Sequence, residues 1–379
     1  MPPRDRLPLV IFTGPSGPSE PEQWMNLACR ANTVDLVQRA LQVPSLGPVI
    51  VATPSGDWAA ELGRLPVEVV VDEPGVHFHF GQRLREVIAC YRLPRLLYMG
   101  GGSGVLLSPP ALATLAEQAL AIERGVLTNN LHSTDFAAVS PASVLDSIDP
   151  PPTDNDLAWR LAAAGLPAQS LPVSAATRLD LDTPNDLAIA ALHPDCGPNL
   201  RHLVARLPLD RGRLQQVLAE LGNSQGEVLA YGRISAATWS ALERLPCQTR
   251  VFSEERGMRA SGRLERGEVH AWLGVFLEQA GPRGFFQSLT GVCTAAVLDS
   301  RVLFAHLGHW PAAGERFYSD LLQPEQIADP AIRAFTEAAR ETPLPLLLGG
   351  QGLVAGGLLA LAEIVERDLR RRSPCGRKS

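Results

Sequence analysis

Short, unbroken apolar runs alternate along the chain with segments of helical period. Leu7 to Thr13 (LPLVIFT) reads as a parallel strand buried on both faces, and Gly14-Pro15-Ser16-Gly17-Pro18-Ser19-Glu20 after it has the composition of a loop. Helical spacing follows over Thr33 to Leu41, then strands at Gly47 to Thr53 and Val67 to Val71, a helix over Gly81 to Tyr91 and a strand at Arg95 to Met99. Pro109 to Arg124 is helical, Gly125 to Asn130 and Phe136 to Val139 are strands, and Thr153 with Asp156 forms a capping box opening a helix to Ala164. Strands alternating with helices predict a parallel sheet covered on both faces, with ligands at the carboxyl ends of its strands. The loops after Thr13, Val71 and Met99 are therefore the first places to look for chemistry.

The second half repeats the βαβ rhythm without repeating the sequence. Leu203 to Leu221 is helical with a break near Pro208, Gly226 to Tyr231 is a strand, Ser235 caps a helix over Ala236 to Leu245, and Gln248 to Ser253 is the next strand. Thr294 to Leu298 and Val302 to His306 read as two strands meeting at Asp299-Ser300. Pro345 to Leu348, Gly349-Gly350-Gln351-Gly352 and Leu353 to Leu369 read as strand, glycine loop and helix, an arrangement that aims backbone N–H groups at one point as anion sites do. The 379 residues exceed one ordinary core, so two α/β domains are expected, 1–197 and 198–379.

Arg178 to Leu187 (RLDLDTPNDL) is the densest signal. It reads as a short strand entering a helix, with Thr183 as cap, Pro184 in the first helical position and Asp186 closing an acidic capping box. Alternation places Asp180 and Asp182 on one face and Leu179 and Leu181 on the other. Two carboxylates on one face suit a hard cation such as Mg²⁺; a capped surface turn is the alternative.

Composition narrows the chemistry. A net charge of −6 argues against nucleic acid as a bulk electrostatic partner. Lys378 is the only lysine, so a P-loop lysine, a Schiff-base lysine and a lysine phosphate clamp are excluded, and any anion held inside the fold is held by arginine, backbone N–H groups or a metal. Cys29, Cys90, Cys196, Cys247, Cys293 and Cys375 show no C-x-x-C spacing, which argues against a zinc knuckle or a redox pair. Leu7 to Thr13 is too short for a signal core, and the apolar stretch Leu344 to Ile364 carries five glycines, Pro345 and Glu363, so a cytoplasmic protein without a membrane partner is expected.

The succession of apolar strand, Gly/Ser loop, V-I-V-A-T, V-E-V-V-V-D, L-L-Y-M-G and L-D-L-D-T-P-N-D-L resembles the nucleotidyltransferase fold of glycosyltransferase-A type over roughly Leu7 to His193. It is most similar to the molybdenum-cofactor guanylyltransferases and the 2-phospholactate guanylyltransferases. The resemblance implies a three-layer, mostly parallel, Rossmann-like sheet that binds a nucleotide. It implies Gly14, Ser16 and Gly17 as backbone donors to phosphate and Gly81 and Arg83 as contacts to the base, with a solvated helix charge as the alternative for Arg83; independently of the family, the close backbone approach that glycines allow offers Gly101, Gly102 and Ser103 as further nucleotide contacts. Two departures bear on catalysis. No basic residue follows the first loop before Arg30, and Met99-Gly100-Gly101-Gly102-Ser103-Gly104 has no carboxylate where the family has its magnesium aspartate. The glycine run fits either a ligand pocket or a tightly packed turn.

Other candidates are weighed against plainer readings. His77 and His79 have H-x-H spacing, with Asp72 near; His306 and His309 are three apart; His132 or Asp135 in Asn129 to Asp135 fits a base or ordinary turn chemistry; Glu254-Glu255-Arg256-Gly257-Met258 follows a strand. Two functional expectations result: a nucleotidyltransferase-like protein using Asp180 and Asp182 on Mg²⁺ to pass a nucleotidyl group to a small phosphorylated acceptor, or a degenerate binding or assembly module. A third places an unrelated activity in the second domain, with Glu254, Asp299 and His306 as its polar groups.

Overall fold

The computed structural model describes residues 6–73, 75 and 77–372. Cys375, Lys378 and the basic tail around them lie outside the described residues. The chain forms two compact units, one of 1–16, 26–173 and 197–200, the other of 17–25, 174–196 and 201–379.

The first unit holds a seven-stranded sheet of β1 (Leu7–Phe12), β2 (Leu46–Thr53), β3 (Glu68–Val71), β4 (Leu96–Gly100), β5 (Gly125–Thr128), β6 (Phe136–Ser140) and β7 (Ala168–Ser170), in the order β3-β2-β1-β4-β6-β5-β7. It is parallel except for β6, which runs antiparallel to β4 and β5. Val10, Phe12, Leu96 and Tyr98 pack on one face with Phe80, Leu84 and Leu161, while Leu9, Ile11, Leu97 and Met99 are equally buried on the other. Continuous apolar strands are the consequence of that double burial.

The second unit holds β8 (Glu227–Gly232), β9 (Gln248–Ser253), β10 (Ala295–Asp299) and β11 (Leu346–Gly349), all parallel, in the order β11-β10-β8-β9. Tyr231, Ala296, Leu298 and Leu348 face a core rich in Phe285, Phe286, Phe304 and Phe335, and the alternate residues Val228, Ala230, Val297 and Leu347 are buried on the opposite face.

Four expectations change. Residues 179–182 form no strand; they connect the helices Ala175–Arg178 and Pro184–Leu192, with Leu179 and Leu181 buried. The segment 174–196 groups with the second unit rather than with 1–173: the Asn185 amide donates to the carbonyls of Leu348 (2.8 Å) and Asp320 (3.2 Å), and a Cβ on Gly356 would lie 2.2 Å from the Arg178 carbonyl oxygen. Ser300–His306 is a helix, not a strand, because Asp299 ends β10 and the apolar run after it packs on the phenylalanine core. The helix expected from Thr153 spans Leu157–Ala163, with Asp156 at its start making no side-chain cap. Among the described residues no helix is long and apolar enough to cross a membrane.

Candidate functional site

In the first unit the strand order turns at β1 and β4, so their carboxyl ends frame the crevice where such sheets bind ligands. The β4 end is a close-packed turn. Gly101 donates its N–H to the Phe12 carbonyl (2.8 Å), Ser103 donates both N–H and Oγ–H to Gly100, and the Asn32 amide donates to the carbonyls of Gly101 (2.8 Å) and Ser103 (2.9 Å). A Cβ on Gly101 would sit 3.0 Å from Thr13 Cγ2, and Gly104, at φ +63°, would meet Met99 Cε. Gly102 is half-buried within this turn.

Beyond it stands a carboxylate that sequence reading missed. Residues 152–156 form no helix and bring Asp154 Oδ2 to 2.8 Å from the Tyr98 hydroxyl, which donates to it, beside Gly100. Asp135 is adjacent, its carbonyl accepting from Gly100 N–H (3.0 Å) and its carboxylate from Asn129 Nδ2 (2.5 Å). Gly14 is exposed, and a Cβ there meets nothing within 4 Å. Ser16 belongs to this unit and Gly17 to the other. Gly81 is glycine because Pro150 and Pro151 cross it at 2.6–2.8 Å from a Cβ position. Arg83 is committed to Asp72 (2.8 Å), Glu86 (3.0 Å) and the Val71 carbonyl. His79 caps the helix Phe80–Tyr91, accepting from Gln82 N–H.

The second unit concentrates charge at the carboxyl edge of its own sheet. The chain leaves β8 toward β9 and β10 toward β11, so the order reverses between β8 and β10. Arg233, after β8, and Asp299, ending β10, meet there in a bidentate pair: Nε donates to Oδ2 at 2.6 Å and Nη2 to Oδ1 at 3.1 Å. Gly232, at φ +124°, permits the approach, since a Cβ would lie 2.2 Å from Asp299 Cβ. Arg301, just after β10, is held bidentately by Asp320. All four side chains are 6% exposed or less. Asp320 is nonetheless pushed up to about 6, by burial first, against the pull of Arg301.

Around these pairs lie Arg259 and Arg316, both stacked against Trp310 at 5.9 and 4.9 Å, and Gln351, whose Oε1 accepts from Arg233 at 3.3 Å. Asp182 is exposed and lies, like Asp186, next to Gly352. Asp186 Oδ2 accepts from the N–H groups of Asp182 (3.2 Å) and Thr183 (2.7 Å) and from Thr183 Oγ1 (2.8 Å), as the capping box requires. Burial, then Asp182, pushes the Asp186 carboxyl up to about 8.

Among the described residues no group of three or more His, Cys, Asp or Glu side chains is placed to hold a metal ion. Asp180 is half-buried and Asp182 exposed in the segment that leads into the Thr183 cap. His306 Nδ1 accepts from Ala271 N–H and His309 pairs with Asp329 (2.8 Å), so these two histidines do not act together. Glu254 accepts from the N–H groups of Trp272 and Leu273 at the start of the helix Trp272–Leu289.

No protein-family model and no curated protein matches the chain. Among solved structures, CMP:2-keto-3-deoxy-manno-octonic acid synthetase complexed with CTP is 17% identical, with a TM-score of 0.36, over 50% of this chain and 98% of that one. A 4-diphosphocytidyl-2C-methyl-D-erythritol synthase is 17% identical, TM-score 0.34, over 49% and 97%. A cytidylyltransferase from Leptospira borgpetersenii serovar Hardjo-bovis is 15% identical, TM-score 0.32, over 44% and 75%.

Proposed function

We propose that the first unit is a nucleotidyltransferase-like module that binds a nucleotide over the carboxyl ends of β1 and β4. The observation that carries this reading is the juxtaposition at the turn in strand order: the exposed Gly14 loop on one side, and Asp154, fixed by Tyr98, on the other. Asp154 stands beside Gly100, at the strand end where the resembling family has its magnesium-binding aspartate, and in this reading it acts on the nucleotide or its acceptor. A second reading, nucleotide binding without turnover, is favoured by the glycine turn, which lacks a carboxylate and is occupied by its own hydrogen bonds, and by the commitment of Arg83 to Asp72 and Glu86.

Thermal-shift titration with GTP, CTP, ATP, UTP and dTTP, with and without Mg²⁺, tests the binding. A nucleotide at 100 times its dissociation constant is expected to stabilise the fold by about 2.7 kcal/mol. Asp154→Asn, which still accepts from Tyr98, is expected to fold normally and to weaken that nucleotide at least tenfold. Pyrophosphate release from the bound nucleotide in the presence of phosphorylated acceptors separates transfer from simple binding. No shift with any nucleotide would sink both readings.

A further inference from the structure

We propose that the carboxyl edge of the second sheet is a binding site for a small phosphorylated dianion, with Arg259 and Arg316 as its principal ligands. The inference goes beyond the nucleotide reading of the first unit and rests on different residues.

Position is the first argument. The crevice outside the carboxyl ends of β8 and β10 lies where the strand order reverses, which is where open parallel sheets bind ligands. The final helix begins there at Gln351, and the first N–H groups of a helix have no intrahelical acceptors. A Cβ on Gly350 would lie 3.8 Å from Arg301 Cγ, so this helix start adjoins Arg301, whose charge acts on Arg316.

Charge is the second. Arg233 and Arg301 are neutralised by Asp299 and Asp320, but Arg259 and Arg316 form no ion pair among the described residues. Arg316 donates only to the Pro311 carbonyl and is driven down to about 10 by burial, then by Arg301 and Arg259. Arg259 is lowered by burial, then by Arg233. Asp182, Asp299 and Glu265 act in favour of the Arg259 charge, and Asp320 and Glu22 in favour of that of Arg316, yet the net displacement of both is downward. Two cations meet over one indole beside further arginines, with no carboxylate paired to either among the described residues. A phosphate monoester carries a charge of about −2 at neutral pH and accepts bidentate guanidinium hydrogen bonds, so it supplies the counter-charge.

Unmet hydrogen bonding is the third. Asp186 Oδ1 and the Tyr231 hydroxyl, in fully buried side chains of this unit, have no partner. Buried polar atoms without a protein partner mark places where water or a ligand completes the network.

The test is isothermal titration of the full chain with inorganic phosphate and with pyrophosphate, with acetate as a monoanion control. Wild type is expected to bind phosphate or pyrophosphate and not acetate. Arg259→Gln and Arg316→Gln are each expected to weaken binding at least tenfold and the double variant to abolish it, while Arg370→Gln, an exposed residue paired with Glu366, leaves it unchanged. Because both substitutions relieve repulsion, thermal stability without ligand is expected to hold or rise. Silence from wild type at millimolar anion, undiminished binding in the double variant, or a loss of stability in both single variants would overturn the proposal, the last by making the arginines structural. Asp154→Asn is expected to leave pyrophosphate binding intact, and the double arginine variant to keep the part of the nucleotide shift that Asp154→Asn removes, so each site fails or stands alone.

Discussion

An Asp299→Ala variant is expected to lose about 3–5 kcal/mol of stability, the cost of leaving a buried charge without its partner. Asp299 is fully buried and Arg233 is 6% exposed, and both oxygens of the carboxylate are occupied by the same guanidinium. With the carboxylate gone, Arg233 keeps only the amide oxygen of Gln351, a neutral acceptor at 3.3 Å. Removing both partners is a different experiment. Replacing a buried pair by apolar residues of similar volume is often close to neutral, so Arg233→Met/Asp299→Leu is expected to recover most of the loss. Urea titration followed by tryptophan fluorescence measures both, read as a change in midpoint at constant slope. A single variant within about 1 kcal/mol of wild type would show that water reaches Arg233 and that the pair is not the closed contact described above. A double variant as unstable as the single would show that the pair fixes the β8–β10 edge by geometry rather than by charge.

The strands were readable because each is buried on both faces, and double burial writes an unbroken apolar run into the sequence. Leu7–Phe12, Leu46–Thr53, Leu96–Gly100, Glu227–Gly232 and Leu346–Gly349 all fall within a residue or two of the expected positions. The same rule fails at Val302 to His306, where a short apolar run fits a buried helix as well as a buried strand, and only the packing of Val302, Leu303 and Phe304 decides. The antiparallel direction of β6 was invisible, since an apolar run carries no direction. Thr153 and Asp156 have the spacing of a capping box, yet the helix begins later, at Leu157, and Asp154 is held by Tyr98, a partner 56 residues away.

The arginine-only chemistry was legible from the lack of lysine, but not which arginines converge. Arg233 and Asp299 are 66 residues apart in sequence and meet because β8 and β10 are neighbours, while Arg301 and Asp320, 19 apart, link the helices Ser300–His306 and Ala313–Asp320. The L-D-L-D-T-P-N-D-L segment shows the same limit from the other side. Its capping box forms as its spacing predicts, with Asp186 bound to Thr183, but local pattern could not say which sheet the helix would serve.

That capping aspartate supplies the second large effect, a stability profile tied to pH. Asp186 takes three donors on Oδ2, and its burial, then Asp182, still carry its carboxyl from an ordinary 3.8 to about 8. The folded state therefore keeps a proton that the unfolded chain gives up near pH 4. The associated stability is complete below that pH, declines as pH rises, and is gone above about 8. Asp186→Asn cannot ionise, while its side-chain oxygen can still accept from Thr183. The difference in unfolding free energy between the variant and wild type is expected to move in favour of asparagine by more than about 2 kcal/mol across that window, since each tenfold difference in proton affinity between the folded and unfolded chain is worth about 1.4 kcal/mol. Asp320, also raised, to about 6, contributes with the same sign, but it is present in both proteins and drops out of the difference. Urea unfolding at a series of pH values measures it. Parallel profiles would mean that Asp186 is ionised in the folded protein, its charge carried by the Thr183 donors and by the arginine-rich edge beside it.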